Sequence, residues 1–481
     1  MNYIFKSYLC FLLILFTGIN LWAQQVSSTA SITLTADEAV NLALQNNLSL
    51  ESARVNLATR RRAADLSWNQ FIPNVTIAGI LNRDNTQGSA SGMIPVVDFP
   101  LNLLIPPPLQ AMLPPDMPNI YGVIPFSVDL PQWRIIGNLQ ASVTLSLAML
   151  ENMNRLRLDY ESGVLSYERA KAQLERDVRK AYHSLLMLHE NIELLRGSFT
   201  NVERQVQMAQ ANYNAGLAPE LTLLQARVAR ENMRPLIEQA ENGLKLLMAQ
   251  FAMFLGMSYD TQFDLVPITE RVDFFPLDVA EMISKAAAGK PDILELRQTI
   301  LMLESARQIQ VFSLYPSLTL SWNMNQVFTK DPWKDSWFNG DHWIDRGSFS
   351  LTLGLRLHSF LPFSTDSQAI RNIEDQITTV GIGLAQLVQG TEIEVYNIVL
   401  ALERTRTNMQ ALQQTVALAE QAYRLTEQAY RAGLQDYFQV QNAEQSLRQA
   451  RVQLLEQQFT YLNGLIDLEY SVGVPFGTLS R

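Results

Sequence analysis

The chain has 481 residues, 47% hydrophobic and 17% charged, with a net charge of -10 and one cysteine. A mildly acidic chain whose longest basic run is Arg60-Arg61-Arg62 is a poor match for nucleic acid, and that triplet reads as the solvated face of a helix. Beyond the amino terminus no stretch approaches the ~20 uncharged apolar residues of a spanning helix, which argues against a helical membrane protein.

The first 23 residues read as a secretory signal: Lys6 in a short polar start, an apolar run from Leu9 to Phe16, and the small Ala23 before Gln24. An uncleaved anchor is the alternative, and the apolar run is short for it. Cys10 lies in the segment removed, too early for lipoprotein acylation, so the exported chain is expected to carry no thiol, disulfide or cysteine-bound metal. Four stretches then have helical periodicity, about 35 to 71, 152 to 255, 276 to 312 and 366 to 470. The second and fourth are rich in Ala, Leu, Gln, Glu and Arg and are interrupted near the middle only by Tyr213-Asn214-Ala215-Gly216-Leu217 and Tyr430-Arg431-Ala432-Gly433-Leu434. Gly there supplies the positive φ that ends a helix, so each long stretch is an antiparallel hairpin. An arm of about 58 residues is roughly 85 Å long. Leu412, Val416, Ala419, Tyr423, Thr426 and Tyr430 alternate at three and four residues, a coiled-coil seam. Pro235 predicts a kink or break inside one arm.

Four segments with period two lie between the helices. Val75 to Leu81 and Leu139 to Leu147 form one pair; Leu318 to Met324 and Phe349 to Leu357 form the other, each with one apolar and one small polar face. A half-buried sheet in water and a membrane barrel both give this alternation. Trp68, Phe71, Phe312 and Tyr315 stand where helix passes to strand, the level of an aromatic belt. Four strands cannot close a barrel, so strands that span a membrane require several chains in one barrel. The first pair is joined by about 55 residues dense in proline, including Pro95, Pro106-Pro107-Pro108 and Pro125; the second by a shorter run with Trp333, Trp337, Phe338 and Trp343. Both suit external loops.

The chain is written twice. From Gly216 and Gly433 the copies run in step to Gly256 and Gly473, and upstream Leu34 to Val40 answers Leu277 to Ile283 while Pro73 to Ile77 answers Pro316 to Leu320. The expected division is a signal segment 1–23, a first repeat 24–273 (helix, strand pair 74–147 with its proline-rich loop, hairpin 152–255), and a second repeat 274–481 (helix, strand pair 317–358, hairpin 366–470).

This order of duplicated parts resembles the TolC-like outer-membrane efflux protein family, over nearly the whole chain after the signal. The resemblance implies a homotrimer, each chain giving four strands to one twelve-stranded β-barrel in outer-membrane lipid, continued by a periplasmic α-helical coiled-coil barrel. It implies a passive duct that docks with a periplasmic adaptor and an inner-membrane pump, in efflux or protein secretion, without enzymatic activity or cofactor. Gly216, Leu217, Gly433 and Leu434 become adaptor-facing tips. Acidic residues often found nine and twelve positions after the second motif's Tyr are here Gln439 and Asn442, with Asp436 the nearby carboxylate; these three are the expected periplasmic aperture. His183 and His189 are six apart, a poor ligand spacing, and no phosphate loop or nucleophile elbow is present. A periplasmic coiled-coil adaptor or scaffold without a channel is the rival reading.

Overall fold

The computed structural model describes residues 32–85, 89–95, 123–129, 132–267 and 278–479. The expected signal segment with Cys10, and most of the proline-rich connection, lie outside the described residues. In chain order the elements are β1 (Ile32–Leu34), α1 (Ala36–Asn46), α2 (Leu48–Asp65), β2 (Asn74–Arg83), β3 (Ser89–Pro95), β4 (Val123–Asp129), β5 (Trp133–Leu145), α3 (Leu147–Asn214) and α4 (Glu220–Phe254). There follow β6 (Phe263–Leu265), α5 (Val279–Gly289), α6 (Pro291–Phe312), β7 (Ser317–Phe328), β8 (Trp343–Asp345), β9 (Ser348–Gly354), α7 (Thr365–Arg431) and α8 (Tyr437–Val472). The chain divides into a sheet unit, Arg62–Leu158 with Met302–Ile377, and a helical unit made of the rest.

In the helical unit the stretch read as one helix over 35–71 is two helices. Asn47 separates them: its Oδ1 accepts from the Ser49 and Leu50 amides at 2.9 and 3.2 Å, and its side-chain amide donates to the Phe254 carbonyl at 2.9 Å. A side chain that caps the next helix offers the backbone an alternative to continuing the last one. Likewise 276–312 divides at Lys290, because Pro291 fits the first turn of a helix and not its interior. The break expected at Pro235 is absent: α4 runs through it. The helix tolerates there both the loss of the bond that a proline nitrogen cannot donate and the crowding of the preceding turn by its ring, the two causes of a kink. The hairpin ends return to the helices that precede them. Gly256, at φ +68°, backs onto the Asn46 carbonyl, and Gly473, at φ +72°, would bring a Cβ within 2.5 Å of the Gly289 carbonyl. Both positions therefore require glycine twice over, for conformation and for space.

Two apolar clusters hold this region. One joins α1 to α3 and α4 through Ala39, Val40, Ala43, Val178, Tyr182 and Phe251. The other joins α5 to α7 and α8 through Met282, Ala286, Val395, Val399 and Leu468. A short parallel pair, β1 with β6, went unread in the sequence because three residues carry no period. The buried Tyr182 hydroxyl sits on it, 2.9 Å from the Leu34 carbonyl and 2.8 Å from that of Val266.

The sheet unit is antiparallel in the order β2-β5-β7, with β8 and β9 continuing one another along the far side of β7. Gly347 lies between those two pieces, where a Cβ would come within 2.5 Å of the Asn323 carbonyl. The strand pair expected to reach residue 358 ends at Gly354, and Leu357–Phe360 is a 3-10 turn. Helix α3 begins at Leu147, five residues before the expected start. The proline-rich connection is not all loop: β3 and β4 pair antiparallel, Ser89 opposite Asp129 and Pro95 opposite Val123. A two-stranded ribbon has only edge strands, which tolerate proline.

Candidate functional site

Two features can do work: the faces of the sheet and the hairpin tips. Register places like residues in rows across the strands. On one face run Leu145–Leu318–Leu353, Val143–Leu320–Leu351, Val75–Ala141–Trp322–Phe349 and Ile77–Leu139–Met324. On the other run Thr144–Thr319–Thr352, Asn74–Ser142–Ser321–Ser350 and Thr76–Gln140–Asn323–Ser348. Hydroxyls meet across the polar rows, Thr144 to Thr319 at 3.1 Å and Ser321 to Ser350 at 2.7 Å. One row on that side is apolar, Ile80–Ile136–Val327–Ile344, near the end of the sheet remote from α3 and α7. Among the described residues nothing covers the apolar face: Ile77, Phe349, Leu351 and Leu353 are all exposed. Among the described residues the outer edges of β2 and β9 have no strand beside them either. Open edges and a bare apolar face are liabilities for a sheet standing in water.

Where the sheet meets the helices, Trp68 and Phe71 lie on a 3-10 turn (Ser67–Phe71) and are exposed, as is Tyr315. Phe312 is half-buried and meets the Tyr315 ring edge-on at 6.0 Å. The turn after β9 holds exposed Leu357, which the sequence assigned to the end of the strand, and adds exposed Phe360, Leu361 and Phe363, which the sequence reading missed because that segment has no period.

The tips are built alike. Gly216 and Gly433 have φ of +71° and +73°. Their amides donate to Tyr213 and Tyr430 carbonyls at 2.9 and 3.0 Å, and the Leu217 and Leu434 amides reach Asn212 and Ala429 at 2.8 Å each. This is the Schellman closure of a helix. A Cβ at either glycine would meet nothing within 4 Å, so conformation alone demands glycine there. Leu217 and Leu434 are 79% and 78% exposed, with no core beside them. Behind the tips the two hairpins pack through Val206, Ala209, Leu223, Ala226, Tyr423, Tyr430, Tyr437 and Val440. The Tyr430 and Tyr437 rings meet edge-on at 6.2 Å, and burial pushes the Tyr437 hydroxyl up to about 12. Burial also raises the Glu444 carboxyl, opposed by Arg448 and Arg451.

Of the three residues expected at an aperture, Gln439 and Asn442 share an exposed side of α8. Asp436 is the N-cap of that helix, accepting from the Gln439 amide at 3.0 Å. Its carboxylate thus has a local task that the sequence reading did not assign. His183 is buried, with Nδ1 3.0 Å from Asn463 Oδ1, and burial lowers its pKa. Among the described residues no group of His, Cys, Asp and Glu is arranged to hold a metal, and no helix is long and apolar enough to cross a membrane.

The sequence profile described as outer membrane efflux protein matches residues 39–256 and 282–474. The chain belongs to that family. No match was found among curated proteins. Solved structures similar to this efflux family member include CusC, whose structures describe transmembrane channel formation, at TM-score 0.70 and 15% identity, covering 94% of this chain and 96% of that one. The outer membrane protein VceC from Vibrio cholerae gives 0.66 at 16% identity, with 92% and 96% covered. The CmeC outer membrane channel of Campylobacter jejuni gives 0.68 at 13%, with 94% and 90% covered. At such identities the likeness is one of fold, that of the outer-membrane efflux channels.

Proposed function

We propose that this efflux family member is the subunit of a passive outer-membrane exit duct. Three copies share one twelve-stranded barrel, each bringing four strands, and their hairpins form a tunnel in the periplasm. The observation that carries this reading is the sheet: open at both edges, bare on its apolar face, lined with hydroxyls and amides on the other. Lipid satisfies the apolar face, water in a lumen satisfies the polar one, and neighbouring copies satisfy the edges. The apolar rows reach from Ile135 to Leu145 along β5. Those residues, tilted by about 40°, rise on the order of 25 Å, the height of an outer-membrane apolar band. Trp68, Phe71, Phe312 and Tyr315 then sit at the periplasmic interface.

In this reading the chain is two diverged repeats, 24–273 and 274–481. Leu217 and Leu434 meet a periplasmic adaptor joined to an inner-membrane pump, and Gln439 with Asn442 rings the periplasmic aperture. The cargo is a drug, another small molecule or a protein, and no reaction is catalysed. Fractionation together with planar-bilayer recording tests the proposal. Outer-membrane location and stable conductance from a three-chain complex are expected; a freely soluble single chain without conductance overturns it in favour of a periplasmic scaffold.

A further inference from the structure

The polar face of the sheet changes character near the end remote from α3 and α7. Over its first three rows the side chains are hydroxyls and amides without charge. Next comes the row of Asn138 and Asn325, and after it the aliphatic row Ile80–Ile136–Val327–Ile344. Arg346 joins the first of these. Its amide donates to the Asn325 carbonyl at 2.8 Å, and it stands two residues from Ile344 and from Ser348, both of that face. Among the described residues its exposed guanidinium has no acidic partner. Arg134 stands on the other side of the aliphatic row, opposite Asn82. One of its terminal nitrogens donates to Asp84 at 2.8 Å, but its Nε is buried without an acceptor. Among the described residues of β2, β5, β7, β8 and β9 this face holds no carboxylate, and Asp84, just past β2, is already paired. Ile80 and Ile344 are 44% and 45% exposed, so the aliphatic row is uncovered.

On a face that is otherwise wet, such a row is a place where apolar surface can leave water. An apolar strip alone is indifferent to the charge of what it meets. The flanking guanidiniums are not: with no free carboxylate beside them, they repel cations and offer charge-assisted hydrogen bonds to a carboxylate, sulfate or sulfonate. Two residues along a strand separate Arg346 from Ile344, about 7 Å, so one small molecule reaches both. We propose that this end of the polar face is a binding site for organic anions with an apolar body. The body lies on Ile80–Ile136–Val327–Ile344, the anionic group meets Arg346, and Arg134 Nε supplies a second donor. The inference rests on the duct proposed above, in which this face lines the way out, and it names a class of cargo that the exit favours.

Saturation-transfer NMR on the full chain in detergent tests it, with detergent alone as the blank. The probes are 2-naphthalenesulfonate and 2-naphthylmethylammonium, which share a ring system and differ in the sign of the head. The sulfonate should bind about tenfold more tightly, the lower end of what a hydrogen bond to a charged group contributes. Arg346 is exposed and unpaired among the described residues, so Arg346→Gln should remove that preference and leave the fold intact. Val327→Thr, which keeps the shape of the row and adds a hydroxyl, should weaken both probes. Arg356→Gln, the loss of an exposed cation just past the other end of β9, should change nothing. Equal affinity for the two probes in the parent, or a preference that survives Arg346→Gln, overturns the site. A conducting three-chain complex without the preference leaves the duct standing and removes the site; the preference in a protein that does not conduct leaves the site standing and removes the duct.

Discussion

For the proposed duct, an arginine moved along β9 measures how deep each row would lie in lipid. Phe349, Ser350 and Leu353 share that strand and differ only in face and height: Phe349 belongs to the Ala141–Trp322 row near the middle of the apolar band, Leu353 to the end row, and Ser350 to the polar face. Transfer of Arg to the midplane of a barrel's lipid face costs about 2 to 4 kcal/mol, falling to about 0 to 1 near the interface. At 1.4 kcal/mol per tenfold, Phe349→Arg should lower the folding equilibrium constant by about 30- to 700-fold per chain. Leu353→Arg should lower it by less than about tenfold, and Ser350→Arg, with its head in water, should stay near the parent. Urea titration of protein folded into vesicles gives these differences directly, and survival of the complex on warming in detergent should rank the variants identically. Equal losses for all three, or a greater loss for Ser350→Arg than for Phe349→Arg, would refute the assignment of faces.

Other predictions concern the helical unit. Leu217→Asp combined with Leu434→Asp should abolish export while leaving complex yield unchanged, since a polar residue at an exposed turn costs little; persistent export sinks the adaptor contact. Gly433→Ala forces an L-residue into the left-handed region and should destabilise the second hairpin by about 1 kcal/mol without a clash, and an unchanged melting temperature would show that the turn relaxes. Conductance should be weakly blocked by divalent cations from the periplasmic side, and Gln439→Asp with Asn442→Asp should strengthen the block; strong block of the parent would move the constriction elsewhere. Glu444 has its pKa raised by burial above the ordinary 4.5, so its contribution is fully present below 4.5 and declines as pH rises through the folded value. Glu444→Gln should therefore raise the melting temperature near pH 7 and flatten its fall between pH 4 and 8, and a lower melting temperature at pH 7 would show that the charge is held by Arg448 and Arg451.

What could be read from the sequence was whatever repeats over many residues. The strand faces follow from period two, and the seam through Tyr423 and Tyr430 follows from alternating threes and fours; both residues are buried in the packing behind the tips. The Gly of each tip was legible because a positive φ has few other tenants. Features set by one side chain or by distant partners were not. Asn47 looks like any polar helical residue until the Phe254 carbonyl is placed beside it, and the capping role of Asp436 shows only in its bond to the Gln439 amide. The β3–β4 ribbon was hidden by a proline density that excludes helix but not an edge strand.

The open edges of the sheet also constrain how the molecule reaches its final place. An isolated chain in hydrocarbon would leave the outer backbone groups of β2 and β9 unpaired at several kcal/mol each. In the proposed duct, entry into the bilayer is then coupled to meeting other copies, and the kinetics of insertion acquire an order in protein concentration that a single-chain barrel lacks. Dilution should slow it far more than it slows the folding of the hairpins, whose contacts lie within one chain. If that duct is the final state, a cell making this protein sparsely would accumulate folded periplasmic helices attached to sheets still waiting for their neighbours.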